Sequence, residues 1–320
     1  MTTSALPQLD GRIFLSEAGL ETDLVFHHDI DLPEFASFPL LESPSGRATL
    51  HDYFQAVIGI ARRDGTGVVL ETPTWRANPD WGQRLGYDDA GLDEVNRDAV
   101  AFLAALRFEN PDVPFVISGN LGPRGDGYVV DDAMSAERAA DYHAAQIWSF
   151  VRAGVDLVTA LTLNYTAEAI GIVRAAREAD VAAVISFTVE TDGALPSGQR
   201  LGDAIDEVDR ATDRGAAYFM VNCAHPTHFA SVLAASGPWN RVRGVRANAS
   251  CKSHQELDDA TELDRGNEVE LAEEYADLAR LLPNLAVAGG CCGTDLAHLD
   301  AISRTLASAH IGATSDGELR

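Results

Sequence analysis

Eight short apolar runs, each followed by a segment of helical periodicity, limit what this chain can fold into. The runs lie at 13–16, 67–72, 114–118, 155–161, 181–188, 217–222, 242–247 and 285–288. The helical segments lie at 47–63, 92–108, 135–153, 166–179, 201–214, 226–235, 269–281 and 295–310. In the first of them Leu50, Phe54, Val57, Ile58 and Ala61 recur at the spacing that puts them on one helix face. A strand that is apolar along its whole length is buried on both faces, as in a parallel sheet covered by helices. Eight such units predict a (β/α)8 TIM barrel, an α/β fold in a single domain. A doubly wound sheet more often carries a phosphate-binding glycine fingerprint after its first strand. Here that strand runs into Glu17-Ala18-Gly19-Leu20-Glu21-Thr22, which is not one. The barrel is expected to span 1–311, with 312–320 a disordered tail.

With 320 residues, 46% of them hydrophobic, the chain can bury a large core. Its net charge of −25 argues against nucleic acid and anionic membrane as partners and fits a solvated acidic surface. It has no apolar run of membrane-spanning length. Residues 1–10 lack the basic and apolar regions of a signal peptide. Four cysteines, two of them adjacent, do not make a secreted disulfide framework, so the cytoplasm is the expected compartment.

Active sites of this barrel sit at the carboxyl ends of its strands, and polar residues crowd there. Glu17, Glu21 and Thr22 follow the first strand, and Glu71 and Thr72 end the second. Asn120 follows the third; Thr162 and Asn164 follow the fourth; Thr188 and Glu190 stand at and after the end of the fifth. Asn222 and Cys223 end the sixth, Arg246 and Asn248 the seventh, and Cys291 and Cys292 the eighth. Any one of the polar residues can be a loop side chain bonding its own backbone. The cysteines are different. Cys291 and Cys292 stand in the turn Gly289-Gly290-Cys291-Cys292-Gly293-Thr294, and glycines on both sides allow a sharp bend or a close approach. Strands six and eight are near enough around a barrel for Cys223 to join them. Three soft thiolates with one place left open are the donor set of a zinc site that does chemistry, because structural zinc sites are closed by four ligands.

Other candidates read more plainly. Cys251, beside Lys252, is an idle loop cysteine. His225 and His228 begin a helix with Pro226 in its first turn. His27 and His28 lack metal spacing. Trp75, Trp81 and Tyr87 either line a cation-binding pocket or pack their loop.

The double-cysteine turn, the sequence Val221-Asn222-Cys223 and the opening segment 15–24 together resemble the homocysteine S-methyltransferases, and the likeness runs over roughly the whole chain. The resemblance implies a (β/α)8 barrel whose zinc (Zn2+) is held by Cys223, Cys291 and Cys292, supported by Asn222, Gly289 and Gly290. It implies a methyltransferase that moves a methyl group from a small sulfonium donor, S-methylmethionine or S-adenosylmethionine, to homocysteine. Its expected partners are therefore a small-molecule thiol and a methyl donor. Glu17 joins the catalytic set by position. Glu17, Glu21, Thr22, Glu71, Asn120, Thr162, Glu190, Asn222 and Asn248 are the expected substrate contacts. The chain departs from the family at two places. Glu17-Ala18 replaces an Asp-Gly pair, and Leu161 stands where the family has a glutamate that holds the amino group of homocysteine. Glu17, Glu71 or Glu190 must then take over, or the acceptor is another thiol. A betaine-type donor, or a zinc or thiol sensor without turnover on the same barrel, are the alternatives.

Overall fold

The computed structural model, which describes residues 6–260 and 262–315, closes eight parallel strands into one barrel in sequence order. The chain runs β1 (Phe14–Leu15), α1 (Leu20–Phe26), α2 (Pro44–Asp64), β2 (Gly67–Glu71), α3 (Pro79–Arg84), α4 (Asp89–Glu109), β3 (Phe115–Leu121) and α5 (Ala136–Ala153). It continues β4 (Leu157–Leu163), α6 (Thr166–Glu178), β5 (Ala182–Phe187), α7 (Leu201–Thr212), β6 (Ala216–Asn222) and α8 (Pro226–Leu233). Then follow β7 (Val242–Ala247), α9 (His254–Asp258), α10 (Glu268–Leu281), β8 (Val287–Gly290) and α11 (Leu296–Ser315). Pairing of Phe14 with Val287 and Leu15 with Ala288 shuts the ring.

The expected strand–helix units are all present, and the differences lie at their ends. β4 continues to Leu163, so Leu161 and Thr162 belong to the strand, and Asn120 likewise lies inside β3. The short helices α1, α3 and α9 were not expected; they are loop elements at the active end of the barrel. α11 runs to Ser315, into the segment read as tail, and 316–320 lie outside the described residues. Among the described residues no helix is long and apolar enough to cross a membrane.

Local chemistry sets the helix ends. Ser43 caps α2 by accepting from the Gly46 N–H, Pro44 follows it, and Gly65 ends the helix in the left-handed region at φ 70°. Ser135 caps α5 in the same way through the Arg138 N–H. The apolar face of α2 (Leu50, Phe54, Val57, Ile58 and Ala61) is fully buried against the barrel wall. Each large side chain there contributes roughly 1.5–3 kcal/mol.

Alternation along the strands divides the barrel interior into two levels. Phe14, Val69, Val116, Leu157, Val184, Tyr218, Met220 and Val287 fill the amino-terminal half. Leu6 and Leu9 pack against this plug, and Gln8 Nε2 donates to the Tyr218 hydroxyl. Two residues further along the same strand faces the lining turns polar, with Glu71, Ser118, Thr159 and Ser186. The functional end is built on this polar level.

Candidate active site

A cavity of about 500 Å³ opens above the polar level, within the size range of small-molecule sites. Cys223, Cys291 and Cys292 meet on its wall, with their sulfur atoms all within 4.8 Å of one another. Cys223 and Cys292 are 3.4 Å apart. The three positions are pinned through the backbone. The Cys223 N–H donates to Arg246 O at 3.0 Å, and the Cys291 N–H to Ala247 O at 2.8 Å, so β7 holds both turns. Cys223 itself has φ 55°, the left-handed region that L side chains avoid outside special sites. Thr294 Oγ1 donates to Cys291 O at 2.7 Å and accepts from the Gly19 N–H at 3.0 Å. Thr22 accepts from the Gly293 N–H. The start of α1 and the double-cysteine turn are therefore one unit.

The polar level beneath is charged and buried. Arg246 Nη1 lies 3.0 Å from Glu17 Oε2, while its other nitrogens donate to the carbonyls of Gly290 and Ala18. Glu17 Oε1 also accepts from the Glu71 N–H. Burial, joined by the neighbouring Glu17 carboxylate, pushes the Glu71 carboxyl up to about 8. Hydrogen bonding from Cys223 and Cys292, with the Arg246 charge nearby, holds the Cys291 thiol well below its usual range. The Cys223 thiol is raised, because its hydrogen bonding to Cys291 and Cys292 and its burial both disfavour a second negative charge.

The predicted contacts divide by position. Glu21, Thr22, Asn120, Thr162, Asn222 and Asn248 line the cavity. Glu17, paired with Arg246, and Glu71, whose N–H donates to Glu17, lie below it. Glu190 sits to one side, its Oε1 3.3 Å from His254 Nδ1. Leu161 does face the cavity. Beside it the register of β4 shifts between Ala160 and Leu163, and Thr162 adopts φ 61°. Asn222 stabilises this bulge, accepting from the Thr162 N–H and donating to Thr162 Oγ1, both at 2.8 Å. The Oδ1 atoms of Asn120 and Asn248 are buried without partners among the described residues. Burial pushes the Glu21 carboxyl up, partly opposed by the hydrogen bond from Ser37.

Several cavity residues escaped the sequence reading, three of them in distinctive settings. Tyr128, in the glycine-rich segment after β3, places its hydroxyl 2.8 Å from Cys223 Sγ and 3.9 Å from Cys292 Sγ. His254 packs against Tyr128 with ring centres 4.2 Å apart and donates from Nε2 to Cys223 O at 2.6 Å. Arg76 lies between the rings of Trp75 and Trp81. A loop aromatic among glycines was the available signal for Tyr128; His254 and Arg76 left none. The two tryptophans thus already enclose a cation from the chain itself, while Tyr87 packs on Phe38 and donates to Glu42. Cys251 is exposed, and His225 caps α8 and faces Glu274, with burial holding its pKa down to about 4.

No curated protein matches the chain in sequence. Among solved structures it is similar to the homocysteine methyltransferase MmuM from Escherichia coli. The metallated form shares 18% identity at a TM-score of 0.70, covering 93% of this chain and 98% of that one. The oxidized form shares 19% at 0.70, covering 91% and 95%. At this identity the likeness establishes the fold. The family model for homocysteine S-methyltransferase matches residues 16–306. That match takes in β2 to β8, all three clustered cysteines and every loop that shapes the cavity, and on it the chain belongs to the homocysteine S-methyltransferase family.

Proposed function

We propose that this methyltransferase moves a methyl group from a small sulfonium, S-methylmethionine or S-adenosylmethionine, to homocysteine, giving methionine in the cytoplasm. The observation that carries the reading is the convergence of three thiols from two strand ends on one cavity wall. The donor set fits zinc: soft sulfurs, one already biased toward thiolate beside Arg246, leaving a side open toward the cavity. Cys223, Cys291 and Cys292 would hold it. Zinc so bound supplies Lewis acidity that lowers the pKa of an incoming thiol.

The remaining work falls to the protein's own groups. Glu21 is the acid placed to receive an ammonium group, because it lines the cavity whereas Glu17 and Glu71 lie beneath it. It takes over the role that Leu161 cannot perform. Asn120 and Asn248 offer unpartnered carbonyl oxygens. Acids at the mouth, Asp126, Asp258 and Glu262, attract a cationic donor. The walls hold the two reactants in line, about 3–3.5 Å apart. The acceptor sulfur, its proton lost to solvent, forms the new carbon–sulfur bond. The old bond breaks with its electron pair, and a neutral thioether leaves.

Reduced protein is expected to take up about one zinc per chain, as a single tetrahedral site requires. Cys223→Ala, Cys291→Ala and Cys292→Ala should each lose most of it, and Cys251→Ala none. Metal-free wild type after purification in zinc and reductant would sink the site. A matrix of thiols and donors tests the reaction. Homocysteine should outperform the same thiol without its amino group, and Glu21→Gln should erase that preference by raising KM for homocysteine. Equal use of the two thiols by the wild type would mean another acceptor.

A further inference from the structure

One guanidinium on the cavity wall makes no ion pair among the described residues. Arg76, between β2 and α3, lies with its guanidinium carbon 3.6 Å from the centre of the Trp81 ring and 4.1 Å from that of Trp75. The indole faces fix the plane of the fork. Its hydrogen bonding among the described residues is one long contact, Nη1 to Gly125 O at 3.4 Å, and Nε is buried without a partner. Neither nearby acid pairs with it among the described residues. Asp126 accepts from the backbone N–H groups of Tyr128 and Val129, and Glu34 pairs with Arg84. Burial pulls the Arg76 pKa down to about 10. A desolvated cation with free donors is costly unless an anion arrives to satisfy it.

Resting on the methyl-transfer reading above, we propose that Arg76 anchors the carboxylate of the methyl donor, so that the cavity selects zwitterions in which onium centre and carboxylate belong to one small molecule. The two cations of the cavity differ in setting. Arg246 stands beside Cys291 and is neutralised by Glu17. The charged groups acting on Arg76 are Asp126 and Glu34 and, with opposite sign, Arg84 at the end of α3. An acceptor thiol occupies the cysteine end beneath Tyr128; the second substrate enters past Arg76. The free fork suits a bidentate carboxylate. A dianion such as phosphate would meet Glu21, Asp126 and Glu262, whereas a zwitterion turns its positive end toward them.

Calorimetry on zinc-loaded protein without acceptor thiol tests this with two probes, S-methylmethionine and (3-aminopropyl)dimethylsulfonium, its analogue without the carboxylate. The wild type should bind the first at least roughly tenfold more tightly, as expected of a charge-assisted bidentate pair. Arg76→Gln should abolish the difference by weakening the first probe alone. Arg76→Lys, which keeps the charge but not the fork, should retain only a few-fold preference, and it carries the test should the glutamine variant fail to fold. Equal affinities in the wild type, a preference that survives in Arg76→Gln, or no binding of either probe would overturn the assignment. Turnover separates it from the reading beneath. Methyl transfer at equal KM from both sulfoniums removes the anchor and leaves the reaction standing. A carboxylate preference without methyl transfer to any thiol does the reverse.

Discussion

Glu71 shows how one buried carboxyl ties the polar level of the barrel to pH. Its folded pKa is about 8, against 4.5 for an ordinary glutamate, because burial and the adjacent Glu17 carboxylate both oppose a second negative charge. Between these values the folded chain holds a proton that the unfolded chain has released. Stability therefore falls as pH rises from about 4.5 to about 8 through this group. Glu71→Gln removes that slope. Denaturation midpoints of the metal-free protein should match the wild type near pH 4.5. The variant should be the more stable by a few kcal/mol above about pH 8. A difference that does not change with pH would show that Glu71 is ionised in the fold. Leu161 and Glu21 carry a second lesson at this scale. Both line one cavity, the first from β4 and the second from α1.

At the scale of elements, the active end depends on α1 lying hard against the double-cysteine turn. A Cβ on Gly19 would come 2.5 Å from Cys291 O and 3.1 Å from Thr294 O. Gly19 therefore serves close approach, since its φ of −72° suits any residue. Gly19→Ala should push the turn aside and weaken zinc retention at least roughly tenfold, given how steeply ligand geometry controls such sites. Far-UV circular dichroism should stay the same, because α1 is short and peripheral to the wall helices. Zinc retained at wild-type strength would show that the contact relaxes without moving Cys291. The glycine-rich segment between β3 and α5 plays the complementary part, carrying Tyr128 over Cys223.

For the whole molecule, the apolar core and the thiol cluster are separate structures. The core packs the strands against the helices and fills the amino-terminal half of the barrel, and the sulfurs sit above it at the opposite end. Chelation should therefore leave the barrel folded, with an unchanged circular dichroism spectrum. The melting temperature should drop only by the linkage of metal to the native state. Unfolding on chelation would make the zinc a structural ion. Activity should vanish with the metal and return with it.

The strand–helix rhythm, the cap at Ser135, Pro226 in the first turn of its helix and the cysteines at the ends of strands six and eight were all legible along the chain, because periodicity and capping are local properties of sequence. So were the polar residues at the strand ends, since alternation and barrel polarity place them there. Which of them reach the cavity was not legible. Glu17 and Glu21 stand four residues apart, and only the closed barrel sets the first under Arg246 and the second on the cavity wall. The bulge that turns Thr162 to a positive φ depends on Asn222, 60 residues away. Arg76 was invisible because its meaning lies in what surrounds it: two indoles, a backbone carbonyl and no ion-pair partner among the described residues. Sequence settles elements through short-range physics. Burial, pairing and the direction of a charge are long-range quantities, and here only the packing of eight loops around one barrel mouth decided them.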